Sequence, residues 1–160
     1  MRVLLFVFGV LLFSSCGVFQ PKLFNHQALN EKLVDINRDS ITLKEILKNN
    51  KGKKTFIQIF ATYCPVSQDS FDDVIEFQKN NSKINYILLS VDHSYHDWKR
   101  GLKNIKVKGK HYYIPKKGKG DLGAFLKLKT IPRFMILDKN GKILLYKSSK
   151  VSDRLKNKTN

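Results

Sequence analysis

The sequence predicts an α/β domain in which a central mixed β-sheet is flanked by helices. An apolar segment over residues 55–61 is followed by a helical pattern of about 14 residues and by a second apolar segment over residues 84–91. A strand, a helix and a strand in this order form a right-handed unit with parallel strands. Residues 133–137 and 142–146 flank a turn with Gly141 and predict a β-hairpin, which adds antiparallel strands.

The first fifteen residues have the composition of an export signal. Met1 and Arg2 are followed by an apolar run over residues 3–13. A run of about 11 residues is too short to span a bilayer as a stable helix, but it suits the hydrophobic core of a signal peptide. We therefore expect a signal peptide over residues 1–15 and an exported protein.

Cys16 directly follows this segment. Residues 13–16, Phe-Ser-Ser-Cys, resemble a bacterial lipobox, in which a peptidase cuts before the cysteine and the thiol carries a diacylglycerol. The resemblance implies a lipoprotein of the bacterial cell envelope, with the lipid anchor and a tether over residues 16–30. An ordinary secretory signal with an incidental cysteine is the alternative. Once Cys16 is lipidated, Cys64 is the single free thiol, so no intramolecular disulfide can form.

The domain is expected to cover residues 31–147 and to open with a short strand. Residues 32–37 alternate polar and apolar side chains, as a half-buried strand does. Residues 40–47 lead into a helical turn, which ends at the asparagines and glycine of residues 49–52. The strand therefore forms an N-terminal extension of the sheet.

The next two elements form the centre of the domain. Residues 55–61 are apolar on both faces apart from Gln58, which predicts a central strand. The helix that follows begins at Pro65, whose missing N–H costs little at a first helical position. Its inner face contains Phe71 and Val74.

The chain after the second apolar strand is more polar. Aromatic and apolar side chains recur there at helical spacing, which predicts a helix with the stripe Tyr95, Trp98, Leu102 and Ile105. Residues 111–115 predict a short extended piece, and a glycine- and lysine-rich loop leads from it to a brief helix over residues 121–126. After the hairpin, residues 148–160 form a basic, polar tail with at most one weak helix.

The formal net charge of the chain is +17, with 30 lysines and arginines against 13 acidic residues. Such a charge is typical of nucleic-acid-binding proteins, but an exported protein meets anionic lipids and acidic polymers rather than DNA. The lysines are also dispersed, without the interleaved aromatic side chains that stack on bases. We expect no nucleic-acid partner, and the charge indicates either a role at a membrane surface or a compositional bias toward lysine.

Three segments resemble a known family. FIQIFATYCPVS (residues 56–67), LLSVD (88–92) and LKLKTIPRFMILDKNGKILLY (126–146) resemble the matching segments of TlpA-like, membrane-tethered proteins with a thioredoxin fold. The pairing of Cys-Pro-x-x with Thr-Ile-Pro before a hairpin is the most specific feature, and the similarity covers about residues 32–146. It implies a thioredoxin fold, thiol–disulfide chemistry, no cofactor, and a protein or small-molecule thiol or disulfide as the substrate.

Cys64 is the candidate nucleophile. At the N-terminus of a helix that begins with Pro65, unpaired backbone N–H groups and the positive end of the helix dipole favour a thiolate. Ser67 lies one helical turn further on, where its hydroxyl can donate a hydrogen bond to the Cys64 sulfur. A serine cannot attack a mixed disulfide, so a resolving thiol has to come from another molecule. A small buried cysteine in a decayed site is the alternative interpretation of Cys64.

The chain departs from the usual pattern of the family at two positions. Ser67 stands where a second cysteine is usual, and Gln58 stands where many thioredoxins have a buried acid that helps to deprotonate that cysteine. The two departures are consistent with each other, because a site without the second cysteine needs no acid to deprotonate it. Together they predict a site that can form a mixed disulfide but cannot resolve it alone.

The resemblance also implies a surface for substrate binding at Tyr63, Ile131 and Pro132. Tyr63 stands where the family often has tryptophan, and Pro132 stands at a position that is a cis-proline in this family. The Ile131 backbone would then pair with an extended substrate as an added strand does. Arg133 either helps to hold the Cys64 thiolate or is a surface arginine at the start of a strand.

Two other interpretations have less support. His93 and His96 have a spacing that can share a metal ion, but no third ligand is close in sequence, so no metal site is predicted. The peroxiredoxin motif P-x-x-x-T-x-x-C requires proline and threonine where this chain has Ile57 and Ala61. Neither interpretation is retained.

Two functions remain open at this stage. The first is a thiol–disulfide oxidoreductase or isomerase-like enzyme in which Cys64 attacks a disulfide and an external thiol resolves the product. The second is a catalytically degenerate lipoprotein that holds a partner protein in the groove around Ile131 and Pro132 without turnover.

Overall fold

A seven-stranded sheet lies at the centre of the computed structural model, which describes residues 20–159. Its strands are β1 Lys32–Val34, β2 Ser40–Thr42, β3 Thr55–Phe60, β4 Asn85–Ser90, β5 Lys110–Tyr113, β6 Arg133–Leu137 and β7 Ile143–Ser148. The helices are α1 His26–Asn30, α2 Leu43–Lys48, α3 Pro65–Asn80, α4 Tyr95–Gly101, α5 Asp121–Leu126 and α6 Asp153–Lys156, and a 3₁₀ turn at Leu102–Asn104 extends α4.

The strands follow the order β2-β1-β5-β4-β3-β6-β7 across the sheet. β3, β4 and β5 are parallel, β6 is antiparallel to β3, and β1 is antiparallel to β5. The predicted thioredoxin fold, with a mixed sheet and an N-terminal strand extension, is confirmed. We call the end at which β3, β4 and β5 begin (Thr55, Asn85 and Lys110) the start pole, and the end at which they finish the Cys64 pole.

The helices cover both faces of the sheet because successive side chains of each strand point to opposite faces. All six residues of β3 are buried, as predicted for a central strand. One core cluster joins β3 to α1, α2 and α5, and it includes Ala28, Leu43, Ile46, Ile57, Ile59, Leu122 and Leu126. The other joins β3 to α3, α4 and α6, and it includes Phe56, Phe60, Phe71, Val74, Phe77, Trp98 and Leu155.

Part of the segment expected to be a tether belongs to the domain. The Asn25 side chain caps α1 by accepting a hydrogen bond from the Ala28 N–H at 2.9 Å. Phe24 and Ala28 are buried in the core, and the Lys22 carbonyl accepts a hydrogen bond from the Ile143 N–H at 2.8 Å. Phe24 directly precedes the cap residue and Ala28 lies within a helix of only five residues, so the segment is too short and too polar to show a helical pattern in the sequence.

The predicted signal peptide over residues 1–15 and the lipid attachment residue Cys16 lie outside the described residues. Between residues 20 and 159, no helix combines the length and the apolar character that crossing a membrane requires.

The structure adds detail to three short elements. β2 pairs with β1 as a hairpin, whereas its residues were predicted only to lead into a helical turn. The short extended piece predicted over residues 111–115 is β5, an inner strand between β4 and β1. The tail contains one short helix, α6, and its fully buried Leu155 holds the tail on the domain. A strand of three or four residues gives little periodicity, and β1 was predicted because the alternation continues over residues 32–37.

Two buried charged side chains hold the ends of α5. Glu31 accepts a hydrogen bond at Oε2 from the Leu122 N–H at 2.7 Å, in the first turn of the helix. Arg133 donates to the carbonyls of Leu126 at 2.9 Å and Lys127 at 3.4 Å, in and after the last turn. A carboxylate at the N-terminus of a helix and a cation at its C-terminus both complement the helix dipole.

This position corrects the prediction for Arg133. With only 2% of its surface exposed, Arg133 is not a surface arginine, and its hydrogen bonds go to the end of α5 rather than to Cys64. Burial lowers the pKa of the guanidinium, and the nearby Tyr146 partly offsets this effect. The side chain therefore holds α5 and the loop that leads from it to Pro132.

We expect Arg133→Met to lower the free energy of unfolding by about 2 kcal/mol, because two carbonyls at a helix end lose their donors inside the protein. Urea unfolding measures this loss. Lys129→Met removes an exposed cation from the same loop and should change the free energy by less than about 0.5 kcal/mol. Equal effects of the two substitutions would contradict the role assigned to Arg133.

Candidate functional site

Cys64 lies between β3 and α3 at the Cys64 pole. It is the N-cap residue of α3, with extended backbone angles (φ −82°, ψ 116°), and Pro65 takes the first helical position. The thiol is free and partly exposed. Tyr63 and Val66, which flank it along the chain, are 51% and 60% exposed. A substrate can therefore reach the sulfur, and it would meet apolar side chains on both sides.

The turn that carries Cys64 is fixed by Asp92. Asp92 lies two residues after the end of β4 and is fully buried. Its carboxylate accepts hydrogen bonds from the Thr62 N–H at 3.0 and 3.1 Å, from the Thr62 hydroxyl at 2.6 Å, and from the Ser90 hydroxyl. The Thr62 carbonyl accepts a further bond from the Gln68 side chain at 2.7 Å. The turn is thus tied both to the neighbouring strand and to α3.

α4 packs closely against this turn. A Cβ atom on Gly101 would lie only 2.4 Å from the Thr62 Oγ1, so a larger residue does not fit without a shift. His93, next to Asp92, stacks on the ring of Tyr63, with ring centroids 4.3 Å apart and planes 13° apart. Stacking reduces the freedom of the Tyr63 ring beside the thiol.

An open pocket of about 470 Å³ lies beside the stacked rings, and it is lined in part by His93, Asp97 and Arg100. A hydrogen bond from the Ser94 hydroxyl lowers the pKa of Asp97, and the charges of Arg100 and His93 add to this effect against a smaller opposing effect of burial. The pocket therefore offers both signs of charge to a polar group near the cysteine.

The two histidines considered as metal ligands have other contacts. His93 stacks on Tyr63, and the His96 Nε2 lies 3.0 Å from the Nη2 of Arg38. Over residues 20–159, no three histidine, cysteine or acidic side chains are grouped so that they could hold a metal ion.

The polar residues behind Cys64 are buried and neutral. Ser67 and Gln58 are both fully buried, since Ser67 lies on the inner face of α3 with Ser70 and Phe71. The Gln58 Nε2 donates to the Ser70 Oγ at 3.1 Å, and the Ser70 hydroxyl donates to the Ser67 carbonyl at 2.7 Å. Gln58 thus stands at the buried position where many thioredoxins have an acid, and its amide group donates a hydrogen bond to a side chain of α3.

The predicted hydrogen bond from Ser67 to the Cys64 sulfur is not formed. The Ser67 Oγ and the Gln58 Oε1 have no hydrogen-bond partner within residues 20–159. The physical reason is orientation, because the Ser67 side chain faces the core whereas Cys64 lies partly at the surface. The last residue of the Cys-x-x-Ser motif therefore contributes a buried hydroxyl that forms no hydrogen bond among residues 20–159.

Ile131 and Pro132 lie at the same pole as Cys64. The peptide bond between them is cis. β6 begins at the next residue, Arg133, which pairs with Ile59 near the end of β3. Ile131 and Cys64 both pack, partly buried, against the same core cluster. The topology thus brings the two separate motifs of the sequence to one end of two adjacent strands.

The role of Asp92 was not predicted from the sequence. The available signal was its position, because an acid directly after a buried strand lies at the carboxyl end of the parallel sheet, where neighbouring turns meet. Glu31, by contrast, carries no comparable signal, since its partner Leu122 is 91 residues away.

We expect Asp92→Asn to lower the free energy of unfolding by about 2 kcal/mol, because the Thr62 N–H and hydroxyl lose a charged acceptor. In a double-mutant cycle with Thr62→Val, the two losses should overlap by about 1 kcal/mol or more. Urea unfolding supplies the free energies. Asp69→Asn changes an exposed carboxylate of α3 and serves as the control. Fully additive losses for Asp92 and Thr62 would show that their contact does not hold the turn.

Comparisons with known proteins agree with this architecture. The chloroplastic thioredoxin-like protein HCF164 of Arabidopsis thaliana is 26% identical over 110 residues, which are 68% of this chain and 33% of that protein. The chain thus spans about a third of the length of this curated relative.

Solved structures match over most of the chain. A thiol-disulfide oxidoreductase from Bacteroides fragilis superposes with a TM-score of 0.68 at 14% identity, over 82% of this chain and 96% of that one. The thioredoxin domain of a thiol-disulfide oxidoreductase from Bacteroides vulgatus gives 0.65 at 17% identity, over 84% and 95%. At such identities the likeness concerns the fold alone.

A family profile described as Thioredoxin-like matches residues 52–143, which include the Cys64 turn, the cis peptide bond and most of the sheet. The match spans more than half of the chain. This protein belongs to the thioredoxin-like family.

Proposed function

We propose that the protein exchanges thiols and disulfides through Cys64 alone, with a thiol from another molecule completing the cycle. One observation carries the proposal. A partly exposed cysteine is the N-cap residue of a 16-residue helix at the same pole as a cis-proline, while a buried serine stands where the motif usually has its second cysteine. The first feature suits nucleophilic attack, and the second removes internal resolution.

The start of α3 leaves its backbone donors available beside the sulfur. No side chain caps the N-terminal N–H groups of α3, and the first turn contains no acidic residue. These donors and the positive end of the dipole are therefore available to a thiolate at Cys64. Arg133 adds no direct contact, since its hydrogen bonds go to α5.

The proposed cycle has two exchange steps. The Cys64 thiolate attacks one sulfur of a substrate disulfide, a mixed disulfide forms, and the other substrate sulfur leaves as a thiolate that takes up a proton. An external thiolate then attacks the substrate sulfur of the mixed disulfide and releases Cys64 as a thiolate. The external thiol ends in a disulfide with the substrate. If the second thiol belongs to the substrate itself, the same steps isomerise its disulfides.

The groove at Ile131 and Pro132 would orient the substrate. Pro132 is buried, whereas Ile131, which lies two residues before β6 begins, is partly exposed, and Tyr63 and Val66 offer apolar contacts around the sulfur. An extended segment of a substrate can lie along this end of the sheet as an added strand does.

A binding module without turnover is the second candidate. The exposure of Tyr63 and Val66 favours it, because neighbouring exposed apolar side chains are typical of contact surfaces for proteins. In that case the same groove would hold a partner, and Cys64 would contribute contact area only.

The two candidates differ in whether a covalent intermediate forms. We expect the full chain with Cys16→Ser to form a mixed disulfide with a peptide disulfide, and added glutathione to release it. Mass spectrometry of the intact protein measures both steps. The same chain with Cys64→Ser should form no adduct. Equal binding of the peptide by both chains, without an adduct in either, would support the binding module instead.

Restoring the missing thiol provides a further arm of this test. Ser67→Cys should form an internal disulfide with Cys64, because residues three apart in a helix lie within the Cα range of about 4.4–6.8 Å that a disulfide requires. Ser70→Cys is the matched control, since Ser70 is also buried on the inner face of α3 but is too far along the helix. An internal disulfide in neither variant would show that the turn cannot support dithiol chemistry.

We also infer that the protein is exported and held in the bacterial envelope through a lipid on Cys16. The apolar run, the two serines and the cysteine of residues 3–16 support this inference. Metabolic labelling with a fatty acid should mark the wild-type chain in the membrane fraction, and Cys16→Ser should lose both the label and the membrane association. A mature chain without lipid would refute the anchor.

A further inference from the structure

Lysines surround the pole of the sheet that lies opposite Cys64. β3, β4 and β5 begin at this start pole, and the β6–β7 hairpin turns there because β6 is antiparallel to β3. The four connecting segments at this end, residues 49–54, 81–84, 105–109 and 138–142, contain a single acid, Asp138. They contain eight lysines: Lys51, Lys53, Lys54, Lys83, Lys106, Lys108, Lys139 and Lys142.

Backbone and side-chain contacts hold these segments together. The Gly52 N–H donates to the Lys139 carbonyl at 2.9 Å, which joins the first segment to the hairpin turn. The Asn85 side chain donates to the Asn50 carbonyl at 2.8 Å, and the Gln78 side chain donates to the Lys108 carbonyl. The lysines therefore belong to one continuous surface rather than to separate loops.

Most of these lysines are available to a partner. All except Lys54 are exposed. The ion pairs within residues 20–159 join Arg100 to Asp97, Lys116 to Asp121 and Lys156 to Asp153, so none of the seven exposed lysines of the start pole is in one.

The charges along α3 follow the same direction. α3 begins at the Cys64 pole and runs back toward the start pole. Asp69 and Asp72 lie in its first half and Lys79 in its last turn, with Asp73 and Glu76 in its second half as the exceptions. Acids near a helix N-terminus and a base near its C-terminus complement the dipole, so Asp69 and Asp72 lie nearer Cys64 and Lys79 lies nearer the start pole.

The N-terminal chain joins the domain at this same pole. The Lys22 carbonyl binds the N–H of Ile143, the first residue of β7, directly after the hairpin turn. Lys22 is exposed, and the neighbouring Leu23 is 65% exposed, the highest value among the exposed large hydrophobic side chains of residues 20–159. An apolar side chain amid lysines suits the boundary between lipid headgroups and acyl chains.

We propose that the start pole binds an anionic lipid surface, so that Cys64 faces away from the membrane. Lysines close to such a surface are attracted by its negative potential, and Leu23 can enter the headgroup region. β3 spans about 20 Å at roughly 3.3 Å per residue, so the sulfur would lie at least that far from the lipid. The proposal does not depend on thiol chemistry or on lipidation of Cys16.

The test compares vesicle binding by full chains that all carry Cys16→Ser, so that no lipid anchor contributes. The start-pole variant carries Lys51→Gln, Lys53→Gln, Lys139→Gln and Lys142→Gln. The matched control loses the same charge at the Cys64 pole, at four exposed lysines: Lys117→Gln, Lys119→Gln, Lys127→Gln and Lys129→Gln. Binding is measured with phosphatidylcholine vesicles, with and without about a quarter phosphatidylglycerol.

We expect the parent chain to bind the anionic vesicles at least about tenfold more tightly than the neutral ones, and this gain to disappear near 1 M salt, where the screening length is about 3 Å. The start-pole variant should lose most of the gain, and the control variant should keep it. No gain with anionic lipid, or an equal loss in both variants, would overturn the proposal and leave compositional bias as the source of the lysines.

Orientation is tested on the parent chain, so that the result does not depend on the folding of a variant. Acetylation of lysines, read by mass spectrometry, should be slowed by anionic vesicles at Lys51 and Lys139 but not at Lys117 and Lys129. Protection of both groups alike would contradict the orientation. Tighter binding to inorganic polyphosphate than to vesicles of equal charge would overturn the assignment to lipid. Either failure leaves the proposed chemistry of Cys64 untouched.

Discussion

Backbone groups around Cys64 are held by buried charges that lack ionic partners. Asp92, Glu31 and Arg133 are the charged side chains that are buried within residues 20–159, and none of them is in an ion pair there. Each binds main-chain groups instead: Asp92 the Thr62 N–H, Glu31 the Leu122 N–H, and Arg133 two carbonyls at the end of α5. A buried charge without such bonds is costly, so each one strongly favours a single position for its partner segment.

These three contacts fix the two segments that make the site. Asp92 holds the turn before Cys64, and Glu31 with Arg133 hold α5, which leads into the loop before Pro132. The site therefore combines rigid supports with an exposed reactive residue. Such a division is typical of binding and catalytic sites, where a well-packed scaffold positions a few accessible groups.

The central part of the fold could be predicted because its patterns are local. Residues 55–61, the helix from Pro65 and the hairpin around Gly141 each carry their own periodicity or turn residue, and the structure has them within a few residues of the predicted bounds. The very short β2 was missed, and β5 was predicted as a short extended piece without its partner strands. The same reasoning explains α1, where two apolar side chains in a polar segment were insufficient to indicate that it packs on the domain.

The candidate site was predictable only in part. Its reactive residue and cis-proline stand in recognisable motifs, but the supports of the site depend on long-range contacts. Arg133 was misjudged because a charged residue at the start of a strand is usually exposed, and the carbonyls that it binds lie six and seven residues earlier, on another element. The direction of the Ser67 side chain was also not deducible from a spacing of one turn, which fixes proximity along a helix but not the burial of each residue.

The two buried side chains behind the Cys64 sulfur, Gln58 and Ser67, are both neutral, which distinguishes this site from one with two thiols. A dithiol site with a buried acid titrates in coupled steps, whose apparent values belong to the group as a whole. Here the inward positions hold an amide and a hydroxyl, Gln58 and Ser67, and neither ionises in the physiological range. These two positions therefore supply no second ionisable group that could be coupled to a thiol.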